Sequence, residues 1–439
     1  MLHRQRGNLF AGMGMGKSLI TLSVVDTLFL AGLETRPVLV LGPLRVARDT
    51  WGKEAGKWEH LKDIVVSPIV GTLKQRVAAL QVKANVYTCN YEQLPWLVNY
   101  LGDTWPFGTV IADESTRIKG FRLKQGGKRA QALSRVAHTH VGRWYNLTGT
   151  PSPNGLLDLW GQMWFIDQGV RLGKSFSAYC NRWFYKSPNG GEFGPPIPHK
   201  HASAEIYALI KDVCLTLDPK DWFDLEEPIV HIVEVKLPAP AMKLYKEFEK
   251  TMFAELACGT ELEVFNAAAL TNKCLQFANG AVYHQDGWKE VHNAKIEALE
   301  SIVEETSGMP LLVAYNFVSD KERILKAFPK AVLLADTKGM AAFMSGKAPI
   351  GLAHAKSMGH GIDGLQDITN ILVRFGHDWN LEERMQMLER VGPVRQKQSG
   401  HERPVLVYDI IAEGTIDETV LARHVTKRNV QDLLLEAMK

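Results

Sequence analysis

Cysteine is scarce in this chain, and what there is forms no pattern. The five residues, Cys89, Cys180, Cys214, Cys258 and Cys274, are odd in number, scattered, and without a CxxC pair. Neither a disulfide framework nor a zinc knuckle is supported, and a reducing, cytoplasmic setting is expected. Long apolar runs are missing too. The longest, Leu19 to Leu33, is interrupted by Asp26 and falls short of the ~18 residues of a membrane helix. His3, Arg4 and Arg6 leave no space for a secretory leader, so no membrane association is expected. Neither sign of charge dominates: 51 Lys and Arg against 48 Asp and Glu give a net charge of +3. That balance is compatible with nucleic acid without demanding it. We find no internal repeat and no carboxylate pair with a nearby lysine that would mark a nuclease. His199 to His201 read as loop surface rather than as a metal site.

The most specific feature present is the run AGMGMGKS, Ala11 to Ser18. Leu9 and Phe10 before it suggest the end of a strand. Leu19, Ile20, Leu22, Val24, Val25 and Leu28 after it suggest a helix closing at Gly32. Strand, glycine-rich loop and helix are the context of a phosphate-binding loop. Gly12, Gly14 and Gly16 allow backbone N–H groups, with those of Met15 and Leu19, to turn around an anion. Lys17 supplies a point charge to the β- and γ-phosphates, and Ser18 a hydroxyl to Mg²⁺. ATP with Mg²⁺ is therefore the expected cofactor.

With 439 residues the chain is long enough for two or three domains. Over residues 1–165, short apolar strands (Val38–Leu41, Val86–Thr88, Val110–Ala112, Trp144–Leu147) alternate with helical stretches, predicting a parallel α/β sheet. Residues 166–290 change texture and read as a linking region, irregular at first and then mainly helical. Residues 291–439 return to α/β, with a helix through Ile296, Leu299 and Val303 and strands at Leu311–Ala314, Val332–Leu334 and Ile371–Val373. A helix is expected after Gly414.

VIADEST, Val110 to Thr116, is an apolar strand ending in two acids. A carboxylate at the C-terminal end of a parallel strand faces the ligand crevice. Asp113 is the candidate Mg²⁺ ligand, with Ser18, and Glu114 the candidate base for the attacking water. In LTGTPSPNGLLDLW, Leu147 to Trp160, Thr148 and Thr150 flank a glycine at a strand end, where small hydroxyls can sense the γ-phosphate region. The same letters also suit a capped turn.

In this order and context, AGMGMGKS, DEST and LTGTPSPNGLLDLW resemble motifs I, II and III of superfamily-two helicases, the third specifically of the Swi/Snf-type branch. PLRVARDTW (Pro43 to Trp51) resembles motif Ia, NYE (Asn90 to Glu92) motif Ib and LVAYNFVSDKERI (Leu312 to Ile324) motif IV. SMGHGIDGLQ (Ser357 to Gln366) resembles motif V and QMLERVGPVRQ (Gln386 to Gln396) motif VI. The compact size, GHG and GPVRQ are similar to phage-encoded members, which would place the chain in a host cytoplasm. The resemblance implies two RecA-like domains of the phosphate-loop class, ATP between them, and DNA, most of all duplex DNA, across both. It implies a DNA-dependent ATPase that moves along DNA. We find no long accessory domain, chromatin reader or zinc module in the sequence, so a protein partner is expected to supply specificity, and a monomer is expected. Three departures stand out. The family's adenine-reading glutamine belongs to an upstream segment, and Gln5 lies close to Lys17. Pro393 occupies the place of the second motif VI arginine. Asp363 and Gly364 replace a single asparagine in motif V.

The candidate DNA contacts are Arg45 and Arg48, then Arg117 and Lys119, then Arg122, Lys124, Lys128 and Arg129; such contacts need only cations and N–H groups on one face. Gly359, His360 and Gly361 are placed to offer backbone amides to a phosphate, and Gly361 and Asp363 stand on the nucleotide side. In motif VI, a helix from Leu381 to Arg390 is expected to end at Gly392 and Pro393. Arg390 would bind phosphate and Arg395, from the following loop, would act as the arginine finger. Two other classes stay open: a nucleotide-gated binding module without processive movement, and a phosphate-loop enzyme acting on a small molecule.

Overall fold

The computed structural model describes residues 1–437 apart from 13, 125, 187–195, 258–262, 285–286 and 359–362, and omits the side chains of 251–257, 263–270, 357–358 and 429–437. The chain divides into two compact units, residues 1–222 with 427–439 and residues 223–426.

The main sheet of the first unit has seven strands: β1 (Arg6–Ala11), β2 (Val38–Gly42), β3 (Val66–Ile69), β4 (Val86–Asn90), β5 (Thr109–Asp113), β6 (Arg143–Thr148) and β7 (Cys214–Leu217). They pair in the order β3-β4-β2-β5-β6-β1-β7, all parallel. A parallel sheet is covered on both faces, so its central strands read as unbroken apolar runs. The side chains still alternate: Leu39, Leu41, Val110 and Ala112 enter one core, Val38, Val40 and Ile111 the other. The register sets Asp113 at the C-terminal end of β5, level with Leu147 at the end of β6.

The main sheet of the second unit has six strands: β8 (Ile229–Val235), β9 (Leu311–Tyr315), β10 (Val332–Leu333), β11 (Ile350–His354), β12 (Ile371–Arg374) and β13 (Leu406–Ala412). Their order is β8-β13-β12-β9-β11-β10, again all parallel. Leu311, Val313, Ile371 and Val373 face one core, and Leu312, Ala314, Leu372 and Val407 the other. The helix expected after Gly414 spans Ile416–Ala437, and its residues from 427 onward belong to the first unit. Among the described residues, no helix is long and apolar enough to cross a membrane.

The segment read from sequence as a separate linking region is shared between the units. Residues 166–222 belong to the first and 223–290 to the second. β7 closes the edge of one sheet and β8 that of the other. Edge strands pair along one side only and alternate less clearly, which hides them from a periodicity reading.

Lys295 and Asp417 form a fully buried ion pair in the second unit. Lys295, on a helix spanning Ala294–Glu305, reaches Asp417 at 2.6 Å with both side chains fully buried, and also donates to Asn279 Oδ1 at 2.8 Å. Lys295→Met leaves the Asp417 carboxylate buried without its cation and is expected to lower stability by about 3–5 kcal/mol. Urea unfolding at neutral pH measures this; an unchanged midpoint would show that water reaches Asp417.

Candidate nucleotide-binding site

The phosphate loop stands where β1 ends. Gly14 and Gly16 hold φ of 77° and 69°, left-handed values that glycine adopts without strain. Gly16 caps helix α1 (Lys17–Leu30), which therefore begins at the lysine, with Ser18 in its first turn. The N-terminus of a 14-residue helix favours anions through its unpaired N–H groups. Lys17 lies against the loop, its Nζ donating to the carbonyls of Ala11 at 2.9 Å and Gly12 at 3.2 Å. Met15 donates its N–H to Gly12 at 3.4 Å, and its side chain packs on the core beside Leu19.

Asp113 and Glu114 are both buried at the end of β5. Burial pushes the Asp113 carboxyl up to about 7, and the Glu114 charge adds to the rise; Lys17 and the Trp51 indole pull the other way. A carboxylate so short of positive charge fits a hard divalent cation. The Tyr91 hydroxyl donates to the Asp113 carbonyl at 2.8 Å, tethering this strand end to the NYE segment. Glu114 holds φ 55° and ψ 58°. For a non-glycine residue that left-handed conformation costs about 1–2 kcal/mol, and such strain persists where the surroundings enforce it.

The Thr-Gly-Thr turn meets the phosphate loop directly. A Cβ on Gly149 would lie 3.1 Å from the Ala11 carbonyl, tighter than an ordinary contact, so a side chain there would press on the backbone that leads into the phosphate loop. The Thr148 hydroxyl accepts the Thr150 N–H at 3.0 Å, and the Thr150 hydroxyl is buried. The fold thus brings together Lys17, Asp113, Glu114 and the Thr148–Thr150 turn, from segments far apart in the chain.

The candidate DNA cations fare differently. Arg45 is half-buried and Arg117 exposed. Arg48 pairs with Asp49 at 3.1 Å, Lys119 with Asp158 at 3.2 Å, and Arg129 with Glu92 at 3.1 Å. Arg122 is structural: its guanidinium lies 3.3 Å from the Phe176 ring centroid and donates to the Lys119 and Phe121 carbonyls. Lys124 and Lys128 are exposed. Gly359, His360 and Gly361 lie outside the described residues.

In the second unit, a helix spans Leu381–Glu389 and Arg390 caps it, buried. Arg395, expected on a loop, lies instead on a second helix, Pro393–Gln398. Proline at the first helical position needs no N–H partner and starts a helix as readily as it ends one. Arg395 pairs with Asp363. The neighbouring bonds run in parallel: Gln366 Nε2 to Ser399 Oγ at 3.1 Å and His401 to Asp367 at 3.1 Å. Arg403 joins the same two segments, donating to the Gln366 carbonyl and to Gln396 Oε1 at 2.9 Å. No sequence signal marks Tyr91, Trp51 or Arg403 individually, although the first two lie inside the NYE and PLRVARDTW segments.

Residues 2–283 match the SNF2-related domain. The chain belongs to the SNF2-related family. It is similar to a protein called p41 from Acyrthosiphon pisum secondary endosymbiont phage 1, 53% identical over 444 residues that cover 100% of this chain and 96% of that one. It is 22% identical over 490 residues to the human DNA repair and recombination protein RAD54-like, covering 97% of this chain and 62% of that protein. Among solved structures, the Sulfolobus solfataricus SWI2/SNF2 ATPase core in complex with dsDNA matches over 98% of this chain and 88% of its own, with 21% identity and a TM-score of 0.41. As a member of the SNF2-related family the chain is an ATP-hydrolysing enzyme of helicase superfamily two.

Proposed function

We propose that this SNF2-related ATPase couples ATP hydrolysis to movement along duplex DNA. The observation that carries the reading is Glu114: a buried acid in a strained left-handed conformation, one residue beyond Asp113, whose carboxyl feels the charges of both Glu114 and Lys17. A pure binding module has no use for such an arrangement. Ser18 and Asp113 would hold Mg²⁺, which supplies charge neutralisation to the β- and γ-phosphates. Lys17 shifts from the loop carbonyls to the phosphates, and Glu114 accepts the proton of the attacking water. Arg395 and Arg390, from the second unit, answer the charge that develops on the γ-phosphoryl group. Gly361 and Asp363 complete the nucleotide side in this reading.

On the DNA side, Arg45 and Arg117 are the favoured phosphate contacts, supported by the Gly359–His360 backbone and by Lys119 if it leaves Asp158. Steady-state ATP turnover with and without duplex DNA tests the whole reading, followed by displacement of a third strand from a triplex. Turnover stimulated by DNA, with displacement, is the expected result. DNA binding without turnover would leave a nucleotide-gated binding module, and turnover indifferent to DNA would leave a small-molecule enzyme. Specificity for a DNA structure is assigned to a protein partner, and the working form to a monomer.

DNA affinity is expected to fall steeply with salt, with a log–log slope of about −0.9 per phosphate contact. Arg45→Ala should flatten that slope by about one contact and weaken binding evenly across sequences. Fluorescence anisotropy from low to moderate salt measures both quantities. A slope identical to that of the unmodified protein would remove Arg45 from the contact set.

A further inference from the structure

Directly after Glu114 comes Ser115, fully buried, and its hydroxyl donates to Oε1 of Gln162 at 2.7 Å. Gln162 stands in the middle of helix α2 (Leu159–Asp167), whose residues from Leu159 to Ile166 are all buried. An amide in such surroundings is tolerated only when its polar atoms are paired. Here they are: Nε2 donates to the Pro151 carbonyl at 2.8 Å and to the Asp158 carbonyl at 3.0 Å. The Pro151 carbonyl belongs to the turn that directly follows Thr150, and the Asp158 carbonyl to the residue that caps α2 itself. One amide therefore bonds at once to the acidic turn and to the threonine turn.

Packing strengthens the link. A Cβ on Gly161 would lie 2.3 Å from the Lys119 carbonyl, so α2 presses on the turn that begins at Ser115. Lys119 also pairs with Asp158 at 3.2 Å. On its backbone side Gln162 accepts from Asn146 Nδ2 at 3.1 Å, and the same Nδ2 donates to Asn8 on β1 at 2.9 Å. The strand leading into the phosphate loop is thus part of the same buried chain of hydrogen bonds.

We infer that Gln162 is a positioning residue: through Ser115 it holds the left-handed backbone of Glu114 and keeps that carboxylate in register with the Thr148–Thr150 turn. The inference rests on the proposed role of Glu114. Loss of the Ser115 bond frees Glu114 to relax to an ordinary right-handed conformation, which would swing its carboxylate off the line of attack. Misplacement of a reacting group by about 1 Å costs up to about 100-fold in rate. Binding of nucleotide, which depends on the loop and Lys17, is left alone.

The test uses the full chain with saturating duplex DNA and four variants: Ser115→Ala, Ser115→Thr, Gln162→Met, and Ser115→Ala with Gln162→Met. Ser115→Ala and Gln162→Met are each expected to lower kcat by about 10- to 100-fold with KM for ATP little changed. Ser115→Thr keeps the hydroxyl and should restore kcat. The double variant should lose no more than the worse single one, because both act through one bond. Should Gln162→Met fail to fold, with two carbonyls left unpaired, the serine pair decides the matter alone. An unchanged kcat in Ser115→Ala, alanine and threonine variants equally slow, or independent losses that multiply would overturn the inference. Glu114→Gln, run alongside, separates the two levels. If it abolishes turnover while Ser115→Ala does nothing, only Gln162 loses its role. If it turns over normally, the role of Glu114 falls and the inference with it.

Discussion

Glu114→Gln is expected to reduce ATP turnover by about 10²–10⁴-fold, the range over which a positioned general base contributes. Nucleotide affinity should stay close to that of the unmodified protein. Glutamine keeps the shape of the side chain but cannot take a proton from water. The backbone is held independently, because the bond from Ser115 to Gln162 fixes the left-handed turn without help from the carboxylate. Lys17→Ala is the contrast: it removes the charge at the N-terminus of α1, where the ammonium now bonds the Ala11 and Gly12 carbonyls, so affinity and turnover should fall together. Equilibrium binding of a fluorescent ATP analogue, paired with phosphate release, separates the two patterns. A Glu114→Gln protein with ordinary turnover would remove that residue as the water-activating group.

The second large effect is expected at Arg395. A cation delivered to the γ-phosphoryl oxygens in the transition state is worth about 10³-fold or more in turnover. Arg395→Ala should lose that much, with ATP affinity only modestly weakened. The arginine is not held on a loop but on a short helix begun by Pro393, and its partner is Asp363. Both positions depart from the pattern the family resemblance implies, and the structure joins the two departures in one ion pair. In the proposed mechanism the guanidinium exchanges this carboxylate for the transferring phosphoryl group. Single-turnover rates for Arg395→Ala and Arg390→Ala decide between the candidates. A near-normal rate for Arg395→Ala would assign the finger to Arg390, the buried cap of the preceding helix.

What was legible in the sequence was everything that local chemistry dictates. Glycines before Lys17 announce a loop that needs left-handed backbone, and Gly14 and Gly16 adopt it. Short apolar runs between helical stretches announce parallel strands, and those at Val38, Val86, Val110, Trp144, Leu311 and Ile371 all entered the two sheets. The pair Asp113–Glu114 was marked by its place at a strand end, where a parallel sheet presents its ligand crevice.

Tertiary structure decided what depends on partners distant in the chain. β7 and β8 became strands because each had an open sheet edge to pair with, and a four- or seven-residue segment carries too weak a pattern to say so alone. Arg122 looked like one more cation in a basic loop, but the ring of Phe176, far along the chain, turned it into part of the packing. The same holds for Gln162. It sits in a run of apolar letters, and only the fold, by setting Ser115, Pro151 and Asp158 around it, gives its amide somewhere to bond. Backbone preferences and apolar periodicity act over a few residues and can be read from letters. Hydrogen bonds between segments tens of residues apart exist only once packing has excluded water and fixed their geometry.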